Sequence, residues 1–176
     1  MQYILIIFIV LGAWVISVYN GIVHAQMKVE ESKSGIDIAL SKRYTLLSNM
    51  QESVKGYVKH EREVFQTITR IRKEMTVQQL CDENEKMNHL QGQLLALAES
   101  YPDLKASDLF GQFQDAIIDC EEHLQAARRF YNSNVTLYNE KLMMFPTNLL
   151  AGMMKKEKAE FFEIEFSEKQ PVYVKI

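Results

Sequence analysis

The chain has 176 residues, 47% of them hydrophobic and 24% charged, with a net charge of −3. This length allows one domain with a buried core, and the acidic balance argues against a nucleic-acid partner. Seven glycines and three prolines are too few for the turns of a many-stranded sheet, so the composition favours long helices. Two cysteines are too few for a disulfide framework or a four-cysteine zinc site.

The first predicted element is a membrane span over residues 3–23. No charged side chain precedes Lys28, and only Ser17 and Asn20 are distinctly polar within the span. Twenty helical residues cover about 30 Å, the thickness of a hydrocarbon core. A cleaved signal peptide is the alternative, but it normally has a basic start, a shorter apolar stretch and a small-residue cleavage site. We therefore expect a retained anchor that contacts the membrane lipid bilayer.

The basic residues near the span predict its orientation. None precedes it, whereas Lys28, Lys33, Lys42 and Arg43 follow within about twenty residues. Lysine and arginine mark the cytoplasmic side of a span. The sequence thus predicts a single-pass protein of the cell (inner) membrane, with the N-terminus outside and the bulk of the chain cytoplasmic.

A first long helix is predicted from Ile36 to Met75. Arg43 and Glu61 are polar positions within its seam, and Gly21 and Gly35 are the candidate hinges towards the anchor, which otherwise continues as one helix. The apolar members of the seam alternate at steps of four and three, as in a coiled coil: Ile36, Leu40, Leu47, Met50, Val54, Tyr57, Val64, Ile68, Ile71 and Met75.

Two further long helices and a short fourth are predicted. Pro102 ends the second helix, because proline disfavours helix just before it, and Ser107 is the expected N-cap of the third. Pro146 ends the third helix, and a short helix follows within residues 147–154. The second stripe is Val77, Leu80, Asn84, Met87, Gln91, Leu94, Ala98 and Tyr101. The third stripe is Phe113, Ile117, Cys120, Leu124, Ala127, Tyr131, Val135, Tyr138 and Leu142.

Charge divides these helices. Residues 28–75 carry 10 basic and 7 acidic side chains, whereas residues 76–142 carry 5 basic and 11 acidic ones, which favours mutual packing of the two segments. Arg43 and Glu61 are about 27 Å apart along one helix and cannot pair with each other. They either form a polar site in the bundle, or each finds an opposite charge on a neighbouring helix, or Arg43 extends to solvent. We favour the last two possibilities over a polar site, and a side chain that stays buried would need such a partner because an unpaired buried ion is costly.

The motifs do not predict a catalytic or metal site. None of the four histidines, His24, His60, His89 and His123, follows a glutamate by three residues, which argues against a di-iron bundle. Cys120 and His123 make half a metal motif, and a buried thiol beside an exposed imidazole is the favoured interpretation. The sequence contains no P-loop, dinucleotide fingerprint or nucleophile elbow. We therefore predict no catalytic, cofactor-binding or metal-binding residue, no cofactor and no enzymatic activity.

The tail beyond residue 156 has a different pattern. Phe161, Phe162, Ile164 and Phe166 alternate loosely with acidic residues. The tail is either partly ordered, with its aromatic side chains capping the end of the bundle, or a peptide that docks a partner or a sheet edge. We favour the first interpretation.

Blocks along the chain match a known pattern. Residues 19–20 close the anchor, residues 36–44 open the first helix, and residues 49–61 form its most specific stretch. Residues 98–106 form the turn, and motifs within residues 127–149 complete the set. Together they resemble the LemA family of bacterial membrane-anchored helical proteins. The resemblance implies a long antiparallel helical bundle on one N-terminal anchor, with the N-terminus outside and no established activity, cofactor or catalytic residue.

The expected architecture is all-α: an elongated antiparallel up-and-down helical bundle, three long helices plus a short fourth, on one N-terminal transmembrane helix. Residues 1–25 are the anchor, residues 26–156 the bundle and residues 157–176 a partly ordered tail. The expected function is a membrane-anchored, non-enzymatic interaction or scaffold protein with an unidentified protein partner. An oligomeric membrane-shaping protein is the alternative, with further copies of the chain as partners. A sensor with an inter-helix pocket is the third possibility.

Overall fold

The computed structural model describes residues 1–55, 68–72 and 74–163. All regular secondary structure within these ranges is helical, which confirms the all-α class, the three long helices and the later short one. A single-turn helix between the second and third long helices was not expected. The elements are α1 (Gln2–Val54), α2 (Val77–Ser100), α3 (Pro102–Lys105), α4 (Asp108–Met143) and α5 (Thr147–Met153).

Helix α1 joins the apolar N-terminal stretch to the first packed helix without a break. It passes through Gly21 and Gly35, and the structure shows no glycine with positive φ among the described residues. The single-helix alternative is therefore confirmed. Residues 1–20 are exposed apart from the half-buried Val15 and Val18, so this stretch packs little against the rest of the chain.

The predicted extent of the first long helix is wrong at its C-terminal end. Residues 68–72 are not helical, although Ile68 and Ile71 are buried as the seam required. The backbone N–H of Thr69 donates to the Glu83 carboxylate at 2.9 Å, and this side-chain acceptor takes the place of a helical carbonyl. The remaining seam positions Tyr57, Glu61 and Val64 lie outside the described residues, as does His60.

The predicted helix boundaries follow from local capping. Helix α2 ends at Ser100, before Pro102, and Ser107 Oγ accepts the Phe110 N–H at 3.3 Å at the start of α4. Thr76 caps α2 through a reciprocal capping box with Gln79. Helix α4 ends at Met143 and α5 begins at Thr147, in agreement with the sequence expectation.

The described chain forms two compact units, and the first comprises Met1–Ile36 and Leu124–Phe161. Helices α1 and α4 are antiparallel here, because Lys141 contacts Gly21 whereas Ala127 contacts Gly35. A step of 14 residues along α1 corresponds to a step of 14 residues back along α4. The buried apolar side chains of this unit include Ile22, Ala25, Val29, Leu124, Tyr131, Val135, Tyr138, Leu142 and Ala151.

Extended residues after α5 also pack in the first unit. Asn139 and the backbone of Ala159 exchange two hydrogen bonds, of 3.0 and 2.9 Å, and the Tyr131 hydroxyl donates to the Glu160 carbonyl at 2.8 Å. The first part of the predicted tail is therefore ordered on α4.

The second unit comprises Asp37–His123 together with Phe162 and Glu163 among the described residues. Phe162 is buried, as expected for an aromatic cap, whereas residues 164–176 lie outside the described ranges. The core contains members of all three predicted stripes: Leu40, Leu47, Met50, Val54, Leu80, Met87, Leu94, Ala98, Phe113, Ile117 and Cys120.

Candidate functional site

The second unit contains a buried polar cluster around Arg43, which we call the Arg43 cluster. It consists of Arg43 on α1, Asn84 and Gln91 on α2, and Glu121 on α4. The Arg43 side chain is only 2% exposed. The alternative in which Arg43 extends to solvent is therefore wrong, and the expectation of partners on neighbouring helices is confirmed.

Each terminal nitrogen of the guanidinium meets an oxygen. Arg43 Nη1 donates to Asn84 Oδ1 at 2.6 Å and Nη2 donates to Gln91 Oε1 at 2.7 Å. Nη2 also forms an ion pair with Glu121 Oε1 at 2.5 Å. The charge is thus neutralised by one carboxylate and solvated by two amides, which is what a buried arginine requires.

Helical spacing explains how three helices converge on one side chain. Asn84 and Gln91 are seven residues apart, about two turns, and therefore lie on one face of α2. Both are polar members of the second predicted stripe, just as Arg43 is in the first. Matching these polar positions would have identified the partners, whereas Glu121 lies beside the third stripe and carried no such signal.

Cys120 lies next to Glu121 and is fully buried. Its thiol donates to the Ala39 carbonyl, with Sγ 3.5 Å from the oxygen. Burial raises the pKa of the Cys120 thiol above its usual range, and the positive charges of Lys42 and Arg43 only partly oppose that effect. The thiol stays protonated at neutral pH and is a poor nucleophile.

The two residues of the half metal motif differ in burial. Cys120 is buried whereas His123 is exposed, so the favoured interpretation of that pair is confirmed. His24 and His89 are exposed as well. Across residues 1–55, 68–72 and 74–163 there is no group of three histidine, cysteine or acidic side chains that could hold a metal ion.

A second charged contact of the same unit orders the segment before α2. Glu83 is mostly buried and accepts from Thr69 N–H at 2.9 Å and from Lys86 Nζ at 2.7 Å. The hydrogen bond to Glu83, reinforced by its negative charge, raises the pKa of Lys86. These contacts organise the backbone of the segment before α2 around one mostly buried carboxylate.

The N-terminal part of α1 is the other candidate functional surface. In the part of the chain that the structure describes, α1 alone is long and apolar enough to cross a membrane. Only 6% of its most apolar 18-residue stretch is buried. A core helix of a soluble protein would bury this face, so the exposure favours a lipid-facing role.

Comparisons with known proteins place most of the chain in one family. The sequence model of the LemA family matches residues 32–176. Protein LemA of Metamycoplasma hominis is 29% identical over 149 residues, which cover 82% of this chain and 68% of that protein.

Shorter stretches of the chain are similar to magnetosome proteins. Magnetosome protein MamQ 2 of Paramagnetospirillum magneticum is 28% identical over 72 residues, and magnetosome protein MamQ of Magnetospirillum gryphiswaldense is 25% identical over 71 residues. These matches cover 41% and 40% of this chain but only 26% of each relative.

Proposed function

The chain belongs to the LemA family, and from this premise we propose that it is a membrane-anchored, non-enzymatic scaffold whose helical units bind a protein partner. The observation that carries the proposal is the continuity of α1. One uninterrupted helix contains both the exposed apolar stretch and the residues that pack with α2 and α4. An anchor continuous with a folded unit is suited to holding that unit at a membrane.

The anchor is residues 3–23 within the bilayer. Their exposed side chains would otherwise present a large apolar surface to water, which soluble proteins avoid. The four basic residues that follow the span, against none before it, support an N-terminus outside and helical units in the cytoplasm of a single-pass protein.

The non-enzymatic role is supported by the state of the buried polar groups. The guanidinium of Arg43 already contacts three side chains, and burial keeps the Cys120 thiol protonated. Both groups act in packing rather than in chemistry on a substrate.

Self-assembly into a membrane-shaping oligomer is the second candidate function. Phe130 and Leu137 are seven residues apart on α4 and are 57% and 55% exposed. Apolar side chains at that spacing form one stripe on a helix and can pack against a second copy.

Crosslinking in native membranes tests the scaffold proposal. The full chain should give a reproducible adduct with one other protein, and a control chain with residues 1–27 alone should not. Adducts whose masses are multiples of the chain would favour self-assembly, and a Phe130→Asp/Leu137→Asp variant should then lose them. Recovery of the full chain as an uncrosslinked monomer would contradict both functions.

A further inference from the structure

The end of α4, the turn after it and α5 form an exposed apolar surface in the first unit, which we call the apolar corner (residues 142–154). These thirteen residues carry no charged side chain and are bracketed by Lys141 and Lys155. The large side chains that are more than half exposed in the corner are Met143, Met144, Phe145, Leu149 and Met153.

Two lysine contacts fix the position of the corner along α1. Lys141 Nζ donates to the Gly21 carbonyl at 3.1 Å, immediately before the corner. Lys156 Nζ, two residues after the corner, donates to Gln26 Oε1 at 2.6 Å. Gly21 and Gln26 are about 8 Å apart along the helix, so both ends of the corner meet α1 within a narrow zone.

That zone is the C-terminal end of the apolar stretch of α1. Because α4 runs antiparallel to α1, residues beyond Lys141 extend from the level of Gly21 towards the N-terminus of α1. If residues 3–23 span the bilayer, Gly21 lies near the boundary between acyl chains and headgroups. The apolar corner then lies at the membrane surface.

We propose that the apolar corner inserts into the interfacial region of the same bilayer that α1 spans, as a second membrane contact; the proposal rests on the anchor described above. Side chains of this kind bury about 5–10 Å deep at the boundary between headgroups and acyl chains. The charges that flank the corner are mixed, since the exposed Lys141, Lys155 and Lys158 are accompanied by the exposed Glu140, Glu157 and Glu160, so the contact depends on the apolar side chains.

The second contact has a consequence for the first unit. A single helix leaves the attached unit to rotate and tilt on its anchor. Contact through the apolar corner holds the first unit against the membrane surface, because Lys141 on α4 and Lys156 after α5 both hydrogen-bond to α1.

Quenching of tryptophan fluorescence by brominated lipid tests the proposal on the full chain in phosphatidylcholine vesicles. The single native tryptophan, Trp14, reports on the span. In a Trp14→Phe background, Phe145→Trp and Met153→Trp report on the corner, where both native side chains are 81% exposed. Phe130→Trp is the matched control, because Phe130 is exposed on the same helix about 16 Å before Lys141.

Bromine near the headgroup end of the acyl chain should remove about half or more of the emission of the Phe145→Trp and Met153→Trp variants. The Phe130→Trp variant should lose little. Equal, weak quenching at all three positions, with Trp14 quenched in the native chain, would overturn the proposal and leave the anchor intact. Absence of quenching at Trp14 would instead refute the anchor. Circular dichroism of each variant checks that the chain is folded. If the Phe145→Trp variant loses helix content, the quenching of the Met153→Trp variant decides the outcome.

Discussion

Arg43 is a charged side chain in a seam of apolar ones, and its three oxygen partners offset the free-energy cost of burying the charge. A buried ion pair is not by itself a stabilising device, since a well-packed apolar replacement of all partners is often as stable. Its attested use is to specify one alignment of helices. We therefore interpret the Arg43 cluster as fixing how α2 and α4 meet α1 in the second unit.

Arg43→Met should lower the free energy of unfolding by about 2–3 kcal/mol, because Asn84 and Gln91 would lose their donor while buried or half-buried. The loss stays below that for a fully buried pair, because the Glu121 side chain is 30% exposed and can rehydrate. Chemical denaturation of the full chain in detergent, followed by circular dichroism, measures it. The neighbouring exposed Lys42, changed to Met, is the control and should shift stability by less than about 0.5 kcal/mol.

Burial of Cys120 predicts how the free energy of unfolding depends on pH. Its pKa is raised by burial in the folded chain, so above the ordinary thiol pKa of about 8.5 the unfolded state loses its proton first. Stability is therefore full below that pH and falls as the pH rises through it. Unfolding measured between about pH 8 and 9.5 should show this fall in the native chain and in Cys81→Ala, but not in Cys120→Ala. An identical pH slope in both variants would disprove the assignment.

At the scale of elements, α4 is the helix most fully predicted from sequence. Its stripe repeats at steps of three and four without a misplaced charge, and Ser107 and Pro146 bound it chemically. Of the nine predicted stripe positions on α4, all but Ala127 are buried, and Ala127 is half-buried. Where the apolar periodicity and the residues that begin and end a helix agree, the local sequence is sufficient to predict the helix and its buried face.

The stripe on α4 can be tested directly. Leu124→Ala should cost about 2–4 kcal/mol, since the side chain is completely buried and its removal leaves a cavity. Leu137→Ala, on the same helix with an exposed side chain, should cost less than about 0.5 kcal/mol. The same denaturation experiment measures both, and equal stability of the two variants would refute the assigned face.

The first long helix shows what local sequence could not supply. Ile68 and Ile71 fit its seam and are buried, yet their backbone is not helical. The deciding interaction is the bond from Thr69 N–H to Glu83, 14 residues away in sequence, and periodicity has no access to such a contact. The Thr76 capping box, by contrast, is a local signal that marks where α2 begins.

For the candidate site, the periodicity of the sequence places Arg43 in the first seam and Asn84 and Gln91 in the second stripe, but it does not identify Glu121. Only the tertiary arrangement of α1, α2 and α4 brings Asn84, Gln91 and Glu121 to one guanidinium. The apolar corner could not be predicted from sequence either, because a short apolar segment is normally interpreted as part of the core. The structure shows that its side chains are exposed next to the end of the predicted span.

For the whole molecule, the proposal makes α1 the link between the membrane and the folded chain. The same helix that is exposed and apolar at its start contributes the buried Arg43 about forty residues later. The basic residues after the span, the exposed apolar corner and the continuity of α1 all fit the proposal that the first unit follows the bilayer without a linker.

Accessibility of single cysteines along α1 in intact cells tests this arrangement most directly. In a background with Cys81 and Cys120 changed to Ala, a membrane-impermeant maleimide should label Gln2→Cys in intact cells and Lys28→Cys only after permeabilisation. Ile9→Cys, within the apolar stretch, should resist labelling in both conditions because it faces lipid. Labelling of Ile9→Cys as fast as that of Gln2→Cys would contradict a membrane-spanning α1. Labelling of Lys28→Cys in intact cells would contradict the proposed orientation.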